Sequence, residues 1–205
     1  MTLSQSPHPN DSASRSAVPG RDRAWVAAIR RGDPAAFEAM FRAYRGDLVG
    51  FVASLLRSEP AAEDVVQELF LRIWRQREDW ELAGPLNTYL FRAARNGAIS
   101  RMRRERVELS FQRRVRAGAE GPVLGSARVP GADELLRARE LEQAIMAAVD
   151  ELPDRCREVF QLARYHRLSH AEVGQVLEIS VNTVEVQMTR ALAHLRKRLA
   201  EFREG

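Results

Sequence analysis

Apolar residues recur at three- and four-residue spacing from Trp25 to about Arg106 and again from Ala132 to Phe202, and they never alternate with polar residues over a useful length. This pattern predicts an all-α chain without a sheet. The periodicity fades once, between Val107 and Gly131, where "VELSFQRRVRAGAEGPVLGSARVPG" gathers Gly, Pro and Ser. That stretch reads as a linker between two helical domains. The expected organisation is a disordered tail over 1–21, a first domain over 22–106, a flexible linker over 107–132 and a second domain over 133–205. A chain of 205 residues has room for both domains.

The opening stretch, "MTLSQSPHPNDSASRSAVPG", is rich in Ser and Pro and lacks both the basic start and the apolar centre of a signal peptide. No run approaches the roughly 18 apolar residues that span a bilayer, so no membrane insertion is expected. One cysteine, Cys156, cannot form an internal disulfide, and a reducing cytoplasm fits. Its neighbours Arg155 and Arg157 would lower a thiol pKa, although a lone cysteine in a helix is more commonly a packing residue. His166 and His170 stand one turn apart, but the Leu168–Ser169 helix start lies between them and no third ligand is evident. Neither a metal nor any other cofactor is expected. No nucleophile, base and orienting group assemble, so the chain does not read as an enzyme.

Arg and Lys number 32 against 28 Asp and Glu, the isoelectric point is near 9.9, and Lys197 is the only lysine. Arginine's planar fork of donors suits phosphate and base edges, which makes nucleic acid a plausible partner; compositional bias alone would give the same excess.

In the first domain a short helix stops near Gly32. Asp33 is placed to cap the next helix, with Pro34 at its first position, and that helix runs to about Arg57. Another begins at Pro60. On a wheel of Ala61–Arg75, Val65, Val66, Leu69, Phe70, Ile73 and Trp74 form a core-facing arc. Asp64, Gln67, Glu68, Arg72 and Arg75 form the opposite arc, with Leu71 at its centre. The spacing leaves two readings open: an ordinary solvated face with one exposed Leu, or a protein-binding stripe with an apolar centre. The helix after Pro85 places Tyr89, Arg92, Asn96, Ser100 and Arg103 on one stripe, and small residues Ala94, Gly97 and Ala98 on the other. An aromatic, arginines and an amide together suit an unpaired strand. Trp80, in the preceding loop, either adds a second stacking surface or belongs to the core, and the same choice holds for Tyr89.

In the second domain Ser169 and Glu172 form an S-x-x-E capping box, with Ala171, Val173, Val176 and Leu177 as a packing face. Two turns later "LEIS" breaks that helix and Ser180 is placed to cap the next. This is the arrangement of a helix-turn-helix, whose second helix enters the major groove; a solvated basic face on a core helix is the other reading. Val184, Met188, Ala191, Leu192, Leu195 and Leu199 fall on that helix's packing face. Glu185, Val186, Thr189, Arg190, Ala193, Arg196 and Lys197 lie opposite, with small residues near the start and cations toward the end. Early residues would approach base edges while later cations meet phosphate. Asn182 and Glu185 would alternatively close a local cap.

Together, "DPAAFEAMFRAYRGDLVGFV", "AEDVVQELFLRIWRQ", "YLFRAARNGAISRMRR" and "ELPDRCREVFQLARYHRLSHAEVGQVLEISVNTVEVQMTRALAHLRKRL" resemble the successive signature segments of sigma-70 family factors of the extracytoplasmic function (ECF) group. The resemblance implies a bacterial initiation factor with two helical domains. The first would bind core RNA polymerase through Asp64, Gln67, Glu68 and Leu71, and hold melted minus-10 DNA with Trp80, Tyr89, Arg92, Asn96 and Arg103. The second would read the minus-35 duplex of promoter DNA with Ser180, Asn182, Thr183, Glu185, Val186, Thr189, Arg190 and Lys197. An anti-sigma factor is an expected partner, and the free protein is expected to be a monomer. The other reading is a free-standing helix-turn-helix regulator that needs no polymerase.

Two departures carry expectations. Many members have Gly in the turn where this chain has Glu178, and a left-handed residue there costs a non-glycine on the order of 1 kcal/mol. Many also have a basic residue at Glu185, whose carboxylate suits a cytosine amino group instead. The expected linker, stretched at about 3.3 Å per residue, would reach about 80 Å. A spacer of roughly 17 base pairs covers about 58 Å.

Overall fold

A computed structural model describes residues 19–115 and 143–200. Its elements are α1 (Pro19–Arg30), α2 (Pro34–Leu56), α3 (Glu59–Arg75), a 3-10 turn (Arg77–Asp79), α4 (Leu86–Val115), α5 (143–150), α6 (Asp154–Arg164), α7 (His170–Leu177) and α8 (Val181–Ala200). Among the described residues there is no strand, as the periodicity requires. Two compact units divide between Ile99 and Ser100, inside α4.

Local signals set the helix ends of the first unit. The Asp33 carboxylate accepts from the backbone N–H of Ala35 at 2.9 Å and of Ala36 at 3.2 Å, with Pro34 at the first helical position. Ser58 caps α3 through the N–H of Ala61 at 3.3 Å. The apolar arcs of α2 and α3 face each other, burying Met40, Leu48, Phe51 and Val52 with Val66, Leu69, Phe70 and Ile73. Burying one such side chain fully contributes roughly 1.5–3 kcal/mol. α4 completes this core with Leu86, Leu90, Phe91, Ala94 and Ala98, and the rings of Phe91 and Phe51 meet edge-on at 5.5 Å. Gly97 makes that packing close: a Cβ there would lie 2.8 Å from Val65 Cγ1.

Two expected boundaries are corrected. The expected tail reached residue 21, yet α1 begins at Pro19, and Asp22 is buried with an exposure of 4%. Tyr44 on α2 donates its hydroxyl to Asp22 Oδ2 at 2.9 Å, so the helix start is tied into the core. Burial first, and then the adjacent Asp22 carboxylate, push the Tyr44 hydroxyl pKa well up. The rest of the expected tail, residues 1–18, lies outside the described residues. The expected linker began at Val107, yet α4 continues to Val115. The physical reason is that "VELSFQRRV" contains neither Gly nor Pro, so nothing stops a helix whose apolar periodicity has already faded. Residues 116–142, which hold the remainder of the expected linker and the start of the second domain, lie outside the described residues.

The second unit packs α6 and α7 against α8. Its core holds Val149, Leu152, Val159, Leu162, Val173, Val176, Leu177, Val184, Met188, Ala191 and Leu195. Leu192 and Leu199 are half-buried, and Ala171, expected on the packing face of α7, is exposed. Cys156 is a packing residue: it is buried, its thiol donates to Gln187 Oε1 on α8 at 2.9 Å, and burial outweighs the nearby Arg190 cation and raises its pKa.

Candidate functional site

The turn between α7 and α8 is tightly specified. The capping box is complete: the Ser169 N–H donates to Glu172 Oε2 at 2.8 Å, and the Glu172 N–H to Ser169 Oγ at 3.3 Å. Glu178 caps the C-terminus of α7 with a left-handed φ of 57°, the geometry expected if glycine's usual place is kept by another residue. The Glu178 N–H bonds back to the Gly174 carbonyl, and the Ile179 N–H reaches the same oxygen at 3.0 Å. Gly174 is what lets the chain fold back this closely, because a Cβ there would lie 2.8 Å from the Ile179 carbonyl oxygen. Sequence reading overlooked Gly174, although an unneeded glycine inside a short helix was the available signal.

Ser180 caps α8, accepting from the Thr183 N–H at 3.2 Å while the two hydroxyls share a hydrogen bond of 2.8 Å. These two residues hold the helix start, so Asn182 and Glu185 are not needed as a cap. Asn182, Glu185, Val186, Thr189, Arg190, Arg196 and Lys197 are all exposed, opposite the buried Val184, Met188, Ala191 and Leu195. One solvent face of α8 therefore carries a carboxylate and an amide near its start and cations toward its end. Thr189 donates its hydroxyl to the Glu185 carbonyl at 2.9 Å, leaving its oxygen lone pairs and methyl for an outside partner. A helix with this distribution suits a major groove, its early residues at base edges and its last turns at phosphate.

In the first unit α3 presents Asp64, Gln67, Glu68, Leu71, Arg72 and Arg75 to solvent, and Leu71 is 40% exposed. Across the same helix Val65, Val66, Leu69, Phe70 and Ile73 are buried, which pins the orientation of this polar stripe. Trp74 packs on Phe37 at 4.9 Å and receives the Arg77 guanidinium at 4.9 Å from its ring centroid.

On α4, Arg92, Asn96 and Arg103 are exposed and Tyr89 is half-buried. Trp80 does not offer the open stacking surface that its loop position suggested. It is 6% exposed, with its ring 5.7 Å from that of Tyr89. Tyr89 therefore has an aromatic neighbour behind it, and the indole supports the face instead of forming it. Among the described residues no three His, Cys, Asp or Glu side chains gather to hold a metal ion, and no helix is long and apolar enough to cross a membrane.

Comparison with known proteins matches this arrangement in both units. Residues 40–108 match the sigma-70 region 2 model and residues 142–195 the sigma-70 region 4 model. The chain belongs to the sigma-70 family of RNA polymerase sigma factors, in the ECF group, with regions 2 and 4. It is 32% identical over 182 residues to the ECF RNA polymerase sigma factor SigK of Mycobacterium ulcerans (strain Agy99), covering 87% of this chain and 95% of that one. It is 29% identical over 177 residues to the ECF RNA polymerase sigma factor SigW of Bacillus subtilis (strain 168), covering 85% and 94% respectively. Among solved structures, CnrH in complex with the cytosolic domain of CnrY aligns with a TM-score of 0.61 at 25% identity, covering 88% of this chain and 98% of that chain. The sigma factor RpoE in complex with the anti-sigma factor NepR from Bartonella quintana shares the fold, with a TM-score of 0.59 at 22% identity over 80% of this chain and 96% of that one. As an ECF sigma factor the chain directs promoter-specific transcription initiation and is a non-enzymatic subunit of RNA polymerase.

Proposed function

We propose that the two exposed faces divide the work of initiation. The α3 stripe of Asp64, Gln67, Glu68 and Leu71 docks on core polymerase. Tyr89, Arg92, Asn96 and Arg103 on α4 hold the unpaired minus-10 strand, and Trp80 braces Tyr89 from within the unit. α8 enters the minus-35 major groove, with Ser180 and Thr183 fixing its start, Asn182, Glu185, Val186 and Thr189 at base edges, and Arg190 and Lys197 on phosphate. The observation that carries this reading is the sidedness of α8, whose cations and carboxylate share one exposed face opposite a buried apolar one. A carboxylate at a base edge accepts from a cytosine amino group. Glu185 is thus the selector and the cations are the anchors.

An anti-sigma factor regulates this chain in trans. Support comes from the complexes in which similar proteins occur, CnrH with the cytosolic domain of CnrY and RpoE with NepR. The free chain is a monomer that acts in the cytoplasm.

Sequencing of transcript start sites after overexpression tests the reading and yields the promoter elements at once. Glu185→Ala should relax the preference at one minus-35 position. Lys197→Ala should weaken every promoter alike and lower the salt slope of binding by roughly one. If both substitutions weaken all promoters equally, Glu185 is not a base reader.

A further inference from the structure

One exposed ionic contact joins the two helices of the helix-turn-helix outside their apolar seam. His170, the first residue of α7, places Nδ1 3.9 Å from Glu185 Oε1 on α8, with the two side chains 42% and 58% exposed. The charged groups nearest His170 in the chain are Arg167 in the preceding loop and Glu172 on α7. Glu172 is committed to the capping box, where Oε2 accepts from the Ser169 N–H at 2.8 Å and the Ser169 hydroxyl at 2.7 Å. Glu185 is the carboxylate that meets His170 across the two helices. At 3.9 Å the contact is too long for a hydrogen bond and is ionic only when the imidazole is protonated.

A carboxylate entering the groove meets a polyanion carrying one charge per roughly 1.7 Å of duplex axis. Glu185 must also be held still to select one base. A cation beside it would serve both needs, since a carboxylate has two oxygens: one can face the imidazolium while the other accepts from a base. We propose that His170 is a positioning residue for minus-35 readout, holding the Glu185 carboxylate toward its base and offsetting its repulsion from the DNA phosphates. The inference rests on the reading of Glu185 as a base selector.

The test uses holoenzyme reconstituted with the full chain and a promoter set in which each minus-35 base pair is varied singly. Selectivity is the ratio of affinities for two promoters at the same pH, which cancels general effects of pH on binding. His170→Ala should lower selectivity roughly two- to five-fold, the range of an exposed ion pair, at the same base pair that Glu185→Ala affects. The double substitution should be no worse than Glu185→Ala alone. His170→Lys should retain the selectivity, because it keeps a cation beside the Glu185 carboxylate. If Glu185→Ala relaxes a position and His170→Ala leaves it intact, or if His170→Ala weakens all promoters equally, the inference is overturned while the reading of Glu185 stands. If Glu185→Ala changes no preference, that reading fails and the role of His170 fails with it.

Discussion

Replacing Glu178 by glycine should stabilise region 4. The residue sits at φ 57°, where an L side chain costs roughly 1–2 kcal/mol through the clash of Cβ with the following carbonyl. Glycine removes that cost but adds unfolded-state freedom worth about 0.4–1 kcal/mol. The net gain is about 0.5–1 kcal/mol, and for a domain of this size that raises the midpoint by roughly 3–6 °C. The three tryptophans, Trp25, Trp74 and Trp80, all lie in the first unit. Tryptophan fluorescence thus follows one unit while circular dichroism follows both. Glu178→Gly should shift the second unit's dichroism transition upward and leave the fluorescence transition where it is. An unchanged or lowered dichroism midpoint would refute the reasoning, since the left-handed backbone would then carry no cost that glycine relieves.

Gly174→Ala should act in the opposite direction. Its Cβ would meet a backbone oxygen at 2.8 Å, so overpacking of about 1–3 kcal/mol outweighs the gain of up to about 1 kcal/mol in helix propensity. The same dichroism melt should show a lower midpoint for region 4. Tyr44→Phe should instead destabilise the first unit by about 1–3 kcal/mol, because it removes the Tyr44 donor from the buried Asp22 carboxylate and leaves it the longer Arg21 contacts at 3.4 Å. The fluorescence transition, with Trp25 packed edge-on to Tyr44 at 6.5 Å, reads this directly. The raised Tyr44 pKa means that the unfolded chain gives up this proton more readily than the folded one. Wild-type stability should therefore be retained below about pH 10 and fall as pH rises beyond it, and Tyr44→Phe should lessen that alkaline loss.

What could be read from the sequence was local. The cap at Asp33 with Pro34, the Ser169–Glu172 box, and the two faces of α3 and α8 each depend on residues within one or two turns. All of them stand in the structure where spacing put them. The failures were of two other kinds. A helix end is marked by residues that stop it, and with none before Gly118 the loss of apolar periodicity at Val107 does not end α4. Contacts distant in sequence gave no local signal: Asp22 meets Tyr44, and His170 meets Glu185, only after the helices pack. Spacing along the chain relates His170 only to His166, four residues before it. The loop position of Trp80 leaves stacking surface and core both open, and only the packed unit shows its ring against Tyr89 and away from solvent.

The central claim is that α3 and α8 do separate jobs, and one paired measurement tests it most directly. Core-polymerase affinity and minus-35 preference are measured for holoenzymes carrying Leu71→Ala or Glu185→Ala. Leu71 is exposed, so its truncation should leave the fold intact while weakening core binding by about 1–2 kcal/mol, as an apolar interface centre does, with the ranking of promoters unchanged. Glu185→Ala should change the ranking at one base pair and leave core affinity unaltered. A Leu71→Ala chain that binds core normally, or a Glu185→Ala chain that loses core affinity but keeps its promoter ranking, would contradict the account.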